Sequence, residues 1–305
     1  MTEKNRYSVL TKLGDEKNLF LGTLAGIVEA FITQPLTYLK NSLQQRDALK
    51  FNPRIWWRGS YASCACDGIL IGCQFMVCGF LQKQLLRGEY RALSMSEEMF
   101  AGFTAGGISG LPCCVLELTM IQQQRFGGTP INTIFRLYST HGLSIILRGL
   151  GPSSGREAIF AAGYLGLSPQ IERFFERRTN KGSKLGQLFG SLFSGILCAF
   201  LTHPLDTIKS CMQGDVDRHT YRGFRHTIKT IAEQGVISAG FSPSASIKTA
   251  AALDLSLSIP RLVASITPFF RGFGARAAII VVCFNIFSEC KLAFAHIFFP
   301  SAFSS

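Results

Sequence analysis

Three related hexamers place charged residues at a spacing that suits ion pairing between helices. In chain order they read Pro35-Leu-Thr-Tyr-Leu-Lys40, Val115-Leu-Glu-Leu-Thr-Met120 and Pro204-Leu-Asp-Thr-Ile-Lys209. Asp206 and Lys209 stand three residues apart, so a helix carries them on one face. The first hexamer has the base without the acid, and the second has the acid, Glu117, without the base. Three such helices around one axis can join acids and bases in a ring of ion pairs.

Charged residues inside otherwise apolar stretches form a second group. Asp67, Arg156 and Glu157 are of this kind. Ionisable side chains at membrane depth are costly, and they face the interior of a bundle or a water-filled cavity. A guanidinium there can bind a carboxylate, and a carboxylate can bind an amino group. The alternatives are an ion pair without ligand for Arg156 with Glu157, and a helix-capping role for Asp67.

The sequence gives no indication of catalysis or of a metal centre. The five histidines are scattered, at His141, His203, His219, His226 and His296. The ten cysteines lack the spacing of zinc ligands or of a redox pair, and we interpret them as small core residues. We therefore expect no enzyme activity, no metal and no cofactor.

The composition indicates a membrane protein with anionic partners. Of 305 residues, 47% are hydrophobic and only 16% are charged, and the net charge is +12. A basic chain attracts anions. The low total charge and the long apolar stretches favour anionic lipid or solutes over nucleic acid.

Six apolar stretches approach the length of about 20 residues that a bilayer span needs. They are 19–43, 61–86, 99–121, 150–167, 185–212 and 273–299. Glycines, glutamines and a few charges interrupt each stretch, which is typical of helices that line a polar cavity.

An internal repeat organises these stretches. A pair of small residues precedes each hexamer: Gly22 and Gly26, Gly102 and Gly106, Ser191 and Gly195. Downstream of each hexamer an Arg-Gly pair opens the next apolar stretch, at Arg58-Gly59, Arg148-Gly149 and Arg271-Gly272. The unit is helix, loop, helix, and the repeats cover 1–95, 96–182 and 183–305.

In these hexamers, small-residue pairs and Arg-Gly pairs, the sequence resembles the mitochondrial carrier family over roughly Leu19–Phe299. The resemblance implies an all-α membrane protein with six transmembrane helices, arranged as three pseudo-symmetric two-helix repeats around a central cavity. The family pattern is Pro-x-acid-x-x-base at the end of each odd-numbered helix, with the helix kinked at proline, here Pro35 and Pro204. Thr37, Val115 and Met120 depart from that pattern.

The resemblance also implies a gate at the matrix end of the cavity. Asp206 would pair with Lys40, and Glu117 with Lys209. The third pair is absent because Thr37 replaces its acid and Met120 replaces its base, so no charged residue is left without its partner. The family's glutamine braces correspond to Gln44, Gln124 and Gln213.

The family contacts its substrate at one level on the even-numbered helices. The corresponding residues here are Cys66, Asp67, Arg156, Glu157, Ile279 and Ile280. They predict alternating-access transport, as an exchange, of an amino acid or another zwitterionic or carboxylate solute. The alternative is a degenerate carrier-fold protein that binds or scaffolds without transporting.

Loop charges predict the orientation in the membrane. The loops after the odd helices carry 15 Lys and Arg against 5 Asp and Glu, and the other two carry 8 against 5. The positive-inside rule puts the first set in the matrix and both termini in the intermembrane space. We expect a monomer of the mitochondrial inner membrane in contact with anionic lipid such as cardiolipin. An insertion at Ala239–Thr267 has no evident periodicity, and the first matrix loop is too short for a surface helix.

Overall fold

The computed structural model describes residues 9–45, 53–57, 59–87, 91, 93–179, 184–240 and 255–300. Within these ranges all regular secondary structure is helical. Arg58, the side chain of Gln44 and the stretch 241–254 of the expected insertion lie outside the described residues.

Six long helices and three surface helices dominate the described part of the chain. They are α1 (Asp15–Gln45), α2 (Ser60–Leu86), α3 (Met95–Phe126), α4 (Pro130–His141), α5 (Leu150–Ala162 and Ser168–Thr179, joined by a π-helical turn over Gly163–Leu167), α6 (Lys184–Gly214), α7 (Phe224–Ser238), α8 (Leu255–Ile266) and α9 (Phe273–Phe298). Pro35 lies inside α1 and Pro204 inside α6.

Five of the described segments have the length and hydropathy to cross a membrane. These are α1 up to Leu43, the segment Pro53–Leu86 that contains α2, then α3, α6 from Leu188, and α9. The remaining long helix, α5, carries Arg156 and Glu157 and contains the π-helical turn. The described residues thus form an all-α membrane protein, and the sequence repeat predicts α5 as a sixth span.

The outer surface of the bundle is apolar in the same way in each repeat. Phe31, Leu111 and Phe200 each stand four residues before a hexamer, and their side chains are 60%, 52% and 54% exposed. In a soluble protein such exposure would cost free energy, whereas in a bilayer these side chains meet acyl chains.

The small-residue pairs bring the two long helices of a repeat into close contact. A Cβ atom on Gly26 would overlap the backbone carbonyl of Asp67, and one on Gly106 would overlap that of Glu157. Backbones approach this closely only where the side chain is missing. The contact therefore fixes the height of Asp67 on α2 and of Glu157 on α5 in the same register.

The Arg-Gly pairs have a structural cause. Gly59, Gly149 and Gly272 are the N-caps of α2, α5 and α9, and each has a positive φ of 80–84°. A residue with a Cβ is strained in this left-handed conformation. Beside one of these glycines, Arg148 donates hydrogen bonds to the backbone carbonyls of Met212, Asp215 and Tyr221. The arginine thereby satisfies carbonyls at and just beyond the C-terminal end of α6.

The expectation of no periodic structure in Ala239–Thr267 is wrong for its second half. Residues Leu255–Ile266 form α8, which packs on α7 so closely that a Cβ atom on Gly235 would overlap the carbonyl of Ala264. Apolar residues at spacings of four, three and four, namely Leu255, Ile259, Leu262 and Ile266, give this segment a helical pattern. The loop between α1 and α2, expected to be too short for a surface helix, also contains a short helix, Pro53–Trp56.

Candidate functional site

A cavity of about 70 Å³ lies on the axis of the bundle, between α1, α2, α3, α5 and α9. All six residues expected at the substrate level line it, together with Thr37 and Met120 of the hexamers. Its charged lining residues are Glu29, Lys40, Asp67, Glu117, Arg156, Glu157 and Arg276. The cavity is far smaller than the roughly 300–1,000 Å³ of an open ligand pocket, so the structure represents a closed conformation.

One end of the cavity is closed by ion pairs between α1, α3 and α6, the first long helices of the three repeats. Lys40 Nζ of α1 lies 3.1 Å from Asp206 Oδ2 of α6. Lys209 Nζ of α6 lies 2.6 Å from Glu117 Oε1 of α3 and 3.5 Å from Asp206 Oδ1. All four side chains are buried, where opposite charges attract more strongly than in water. We call these four residues the ion-pair layer.

Arg156 of α5 extends the ion-pair layer with a further base. Its Nη2 lies 2.7 Å from Glu117 Oε1, and its Nη1 lies 3.7 Å from Asp206 Oδ1. It also forms an ion pair with its neighbour Glu157. A base from α5 thus adds to the charges between α3 and α6, while Thr37 and Met120 supply no ion pair of their own. In this conformation Arg156 is engaged by three carboxylates, which favours the ion-pair interpretation over a free carboxylate-binding site.

Two of the expected glutamine braces make contacts between the first long helices of the repeats, α1, α3 and α6. Gln213 Nε2 donates to the backbone carbonyls of Cys114 on α3 and of Arg148, both at 3.2 Å. Gln124 Oε1 accepts a hydrogen bond from Asn41 Nδ2 of α1 at 2.6 Å. Both glutamines lie beside the ion-pair layer and join the helices whose charges it pairs.

Arg276 on α9 is the cavity-lining cation with the loosest contacts among the described residues. Its nearest carboxylate oxygen is Asp206 Oδ1 at 3.9 Å, its Nε has no hydrogen-bond partner, and its exposed fraction is 5%. A buried guanidinium with unused donors is suited to bind a carboxylate. Ile279 and Ile280 lie one turn further along α9 and supply an apolar wall.

Two carboxyl groups line the cavity without a basic partner. Glu29 Oε1 accepts hydrogen bonds from Thr33 Oγ1 at 2.9 Å and from Cys283 Sγ at 2.6 Å. Asp67 accepts a long hydrogen bond from Ser63 Oγ at 3.5 Å. Within the described ranges, no Lys, Arg or His nitrogen lies within 4.0 Å of either carboxyl group. This side of the cavity is acidic.

Sequence reasoning missed Glu29. The signal was present, because Glu29 is a single acid in the middle of the apolar run of α1. The resemblance placed the substrate contacts on the second long helix of each repeat, whereas Glu29 lies on α1, the first long helix of its repeat.

The other end of the cavity is closed by aromatic side chains. The rings pack against one another around Tyr164 and belong to Phe75, Phe160, Tyr164, Phe284 and Phe287. Tyr164 is eight residues beyond Arg156 on α5, which corresponds to about 12 Å along a helix. We call these five residues the aromatic layer.

A group of three possible metal ligands includes Glu117 of the ion-pair layer. Atoms of Cys113, Glu117 and Glu157 lie within 4.8 Å of one another. Arg156 and Lys209 already form ion pairs with Glu117, so cationic side chains hold the position that an ion would take. This arrangement does not favour a metal.

Comparisons with known proteins agree with this architecture. The family model described as "Mitochondrial carrier protein" matches residues 180–253, the repeat with the complete hexamer Pro204–Lys209. The Tricarboxylate transporter FUM11 of Gibberella moniliformis is 29% identical over 74% of this chain and 80% of its own length. The Tricarboxylate transport protein of Saccharomyces cerevisiae is 28% identical over 70% and 82%, and the Mitochondrial glycine transporter of Kluyveromyces lactis is 23% identical over 64% and 78%.

The described residues thus form a helical membrane protein with a charged axial cavity between two closed layers. The chain is similar over most of its length to members of the mitochondrial carrier family. The relatives named here are transporters, which agrees with the expectation of a transport protein.

Proposed function

We propose that the protein exchanges a small zwitterionic, amino-acid-like solute across the mitochondrial inner membrane by alternating access. One observation carries the proposal: a loosely paired cation and two carboxyl groups without a basic partner face the same cavity. Arg276 has a free Nε donor and a 3.9 Å contact with Asp206 on one side, and Glu29 and Asp67 lack a basic partner on the other. A carboxylate and an ammonium group on one small solute satisfy both sides.

The charge balance favours a zwitterion over a tricarboxylate. The cavity and the ion-pair layer contain five acids, Glu29, Asp67, Glu117, Glu157 and Asp206, and four bases, Lys40, Arg156, Lys209 and Arg276. The net charge of this set is −1 when every group is ionised. A solute with three negative charges would meet repulsion in a site of reduced dielectric, whereas a zwitterion adds no net charge. Among the relatives, the glycine transporter fits this balance better than the tricarboxylate transporters do.

The two closed layers supply the gates that alternating access requires. In the proposed orientation the ion-pair layer faces the matrix, the aromatic layer faces the intermembrane space, and both termini lie on the latter side. The matrix gate keeps two ion pairs although Thr37 and Met120 supply no third, and Arg156 adds a base that contacts Glu117 and Asp206. The scaffold alternative is accordingly not favoured. A monomer in contact with anionic lipid remains part of the proposal.

Uptake into proteoliposomes tests the proposal. Purified protein is reconstituted, the vesicles are loaded with unlabelled neutral amino acids or with citrate, and uptake of the labelled compounds is measured. We expect neutral amino acids to exchange and citrate to exchange poorly. Arg276→Gln should abolish uptake, whereas Arg225→Gln, a matched change on the exposed face of α7, should not. Rapid citrate exchange without amino-acid exchange would overturn the assignment.

A further inference from the structure

Glu29 is a buried acid that the closed gates do not use. Its side chain lies in the middle of α1, its exposed fraction is 5%, and its hydrogen-bond partners are the uncharged Thr33 and Cys283. An ionised carboxylate in such a place loses several kcal/mol of solvation that no neighbouring charge restores. The group therefore needs a positive charge of its own.

The acids that face Glu29 increase its requirement for a nearby positive charge. From α2 the acid Asp67 faces it, and from α5 the acid Glu157 does so. Glu157 is already bonded to Arg156 and accepts a hydrogen bond from Gln74 Nε2 at 3.0 Å.

The remaining facing groups supply one distant positive charge. The thiol of Cys64 on α2 and that of Cys283 on α9 are uncharged as thiols. The base on α9, Arg276, lies closest to Asp206 of the ion-pair layer. Two facing carboxyls, Glu29 and Asp67, thus share a site without a local cation.

We propose that Glu29 holds a proton when the cavity lacks solute and gives it up to bind the solute's ammonium group. Binding breaks the O–H bond of the carboxyl group, and the proton leaves to water on the open side of the carrier. The carboxylate then pairs with the ammonium group. Release of the solute on the opposite side reverses both steps, so one solute moves in exchange for one proton.

This inference rests on the proposed zwitterionic substrate and adds the coupling ion to it. The proton and the ammonium group compete for one carboxylate, so the carrier can reorient with either but not with both. Asp67 in the same cavity strengthens the requirement for one positive charge, because two facing carboxylates repel each other.

The first test needs no substrate. Infrared spectra of the solute-free wild type and of Glu29→Gln are compared for the carbonyl stretch of a protonated carboxyl group, which Glu29→Gln should remove. Glu233→Gln, a matched change at a surface acid of α7 that pairs with Lys229, should leave the band in place. Absence of the band in the wild type, or its survival in Glu29→Gln, overturns the proton site, whatever the vesicles transport.

The second test measures coupling in vesicles that contain a trapped pH dye, with the membrane potential clamped by potassium and valinomycin. Labelled glycine and a mixture of neutral amino acids serve as probes. With one proton per solute, a lumen more acidic by one pH unit drives about tenfold accumulation. Glu29→Gln should abolish both the accumulation and the lumen pH change, and Glu233→Gln should retain both. Uptake without proton movement overturns the coupling alone, whereas absence of amino-acid uptake in the wild type contradicts the proposed function.

Discussion

Gln74 connects the two closed ends of the cavity through its bond to Tyr164. The Tyr164 hydroxyl of the aromatic layer donates to Gln74 Oε1 at 2.6 Å. Gln74 Nε2 donates to Glu157 Oε2 at 3.0 Å, and Glu157 pairs with Arg156, which reaches the ion-pair layer. A fully buried amide thus spans the distance between the gates. In the proposed alternating-access cycle only one gate opens at a time. Opening either gate would break this chain of bonds, so we expect the chain to couple the two gates.

Gln74→Leu should slow exchange and lower thermal stability. The change keeps the side-chain volume but leaves the Tyr164 hydroxyl and one oxygen of Glu157 without partners, and each such loss costs about 1–3 kcal/mol. Tyr164→Phe, which removes only one of the bonds, should have a smaller effect. Exchange rates in proteoliposomes and melting temperatures in detergent measure both variants. A normal exchange rate in Gln74→Leu would show that the gates work independently.

The pair Lys40–Asp206 should be essential for transport through its charge rather than its shape. Asp206→Asn leaves the buried Lys40 without a carboxylate partner, at a cost of about 3–5 kcal/mol, and Lys40→Gln removes the nearest of the bases around Asp206. The charge-swapped double variant, Asp206→Lys with Lys40→Asp, restores the pair. We expect it to recover part of the uptake that either single variant loses.

Recovery should be incomplete because Asp206 also lies 3.5 Å from Lys209 and 3.7 Å from Arg156. A lysine at position 206 would meet both of these bases. If the double variant transports no better than the poorer single variant, the two residues do not act as a pair.

Gly149→Ala should destabilise the fold by about 1–2 kcal/mol, because an L-residue is strained at its φ of 84°. Gly151→Ala is the matched control two residues later in α5. A Cβ atom there meets no atom within 4 Å, and its φ is not positive. Thermal unfolding in detergent should show a lower melting temperature for Gly149→Ala and no decrease for Gly151→Ala. Equal melting temperatures would contradict the role assigned to the Arg-Gly pair.

The repeat, the helices and the charges of the site could be predicted from the sequence because the residues that determine them recur at regular spacings. The small-residue pairs, the hexamers and the Arg-Gly glycines recur at equivalent positions, and each has a local physical cause. Asp67 and Glu157 could be placed at one level because Gly26 and Gly106 hold their backbones.

The partners of long side chains could not be predicted in this way. Arg156 reaches toward the ion-pair layer rather than standing free in the cavity, and that direction depends on acids from two other helices, Glu117 and Asp206. Helix α8 was missed because its apolar spacing follows a stretch rich in Ser and Ala that shows none. Tertiary packing on Gly235, not local propensity, decides its position.

The stability of the fold should depend on pH through Asp215, which lies in the loop after α6. Burial alone would raise the pKa of this carboxyl group, but the backbone N–H groups of Tyr221, Thr220 and His219 donate to it at 2.7, 2.8 and 3.1 Å, and its pKa is lowered overall. A lowered folded-state pKa stabilises the fold above the unfolded value of about 4, and this contribution is lost as the pH falls through the folded value.

Asp215→Asn should therefore lower the melting temperature at neutral pH, because a neutral amide binds the three N–H groups less strongly than a carboxylate does. The difference from the wild type should shrink as the pH is lowered below about 4, where the wild-type carboxylate also takes up its proton. Asp217→Asn, two residues later at an exposed position beside His141, is the matched control and should change the melting temperature less. Melting temperatures in detergent across this pH range measure the effect. A difference that stays constant, or grows as the pH falls, would mean that the three backbone hydrogen bonds do not stabilise the charged form.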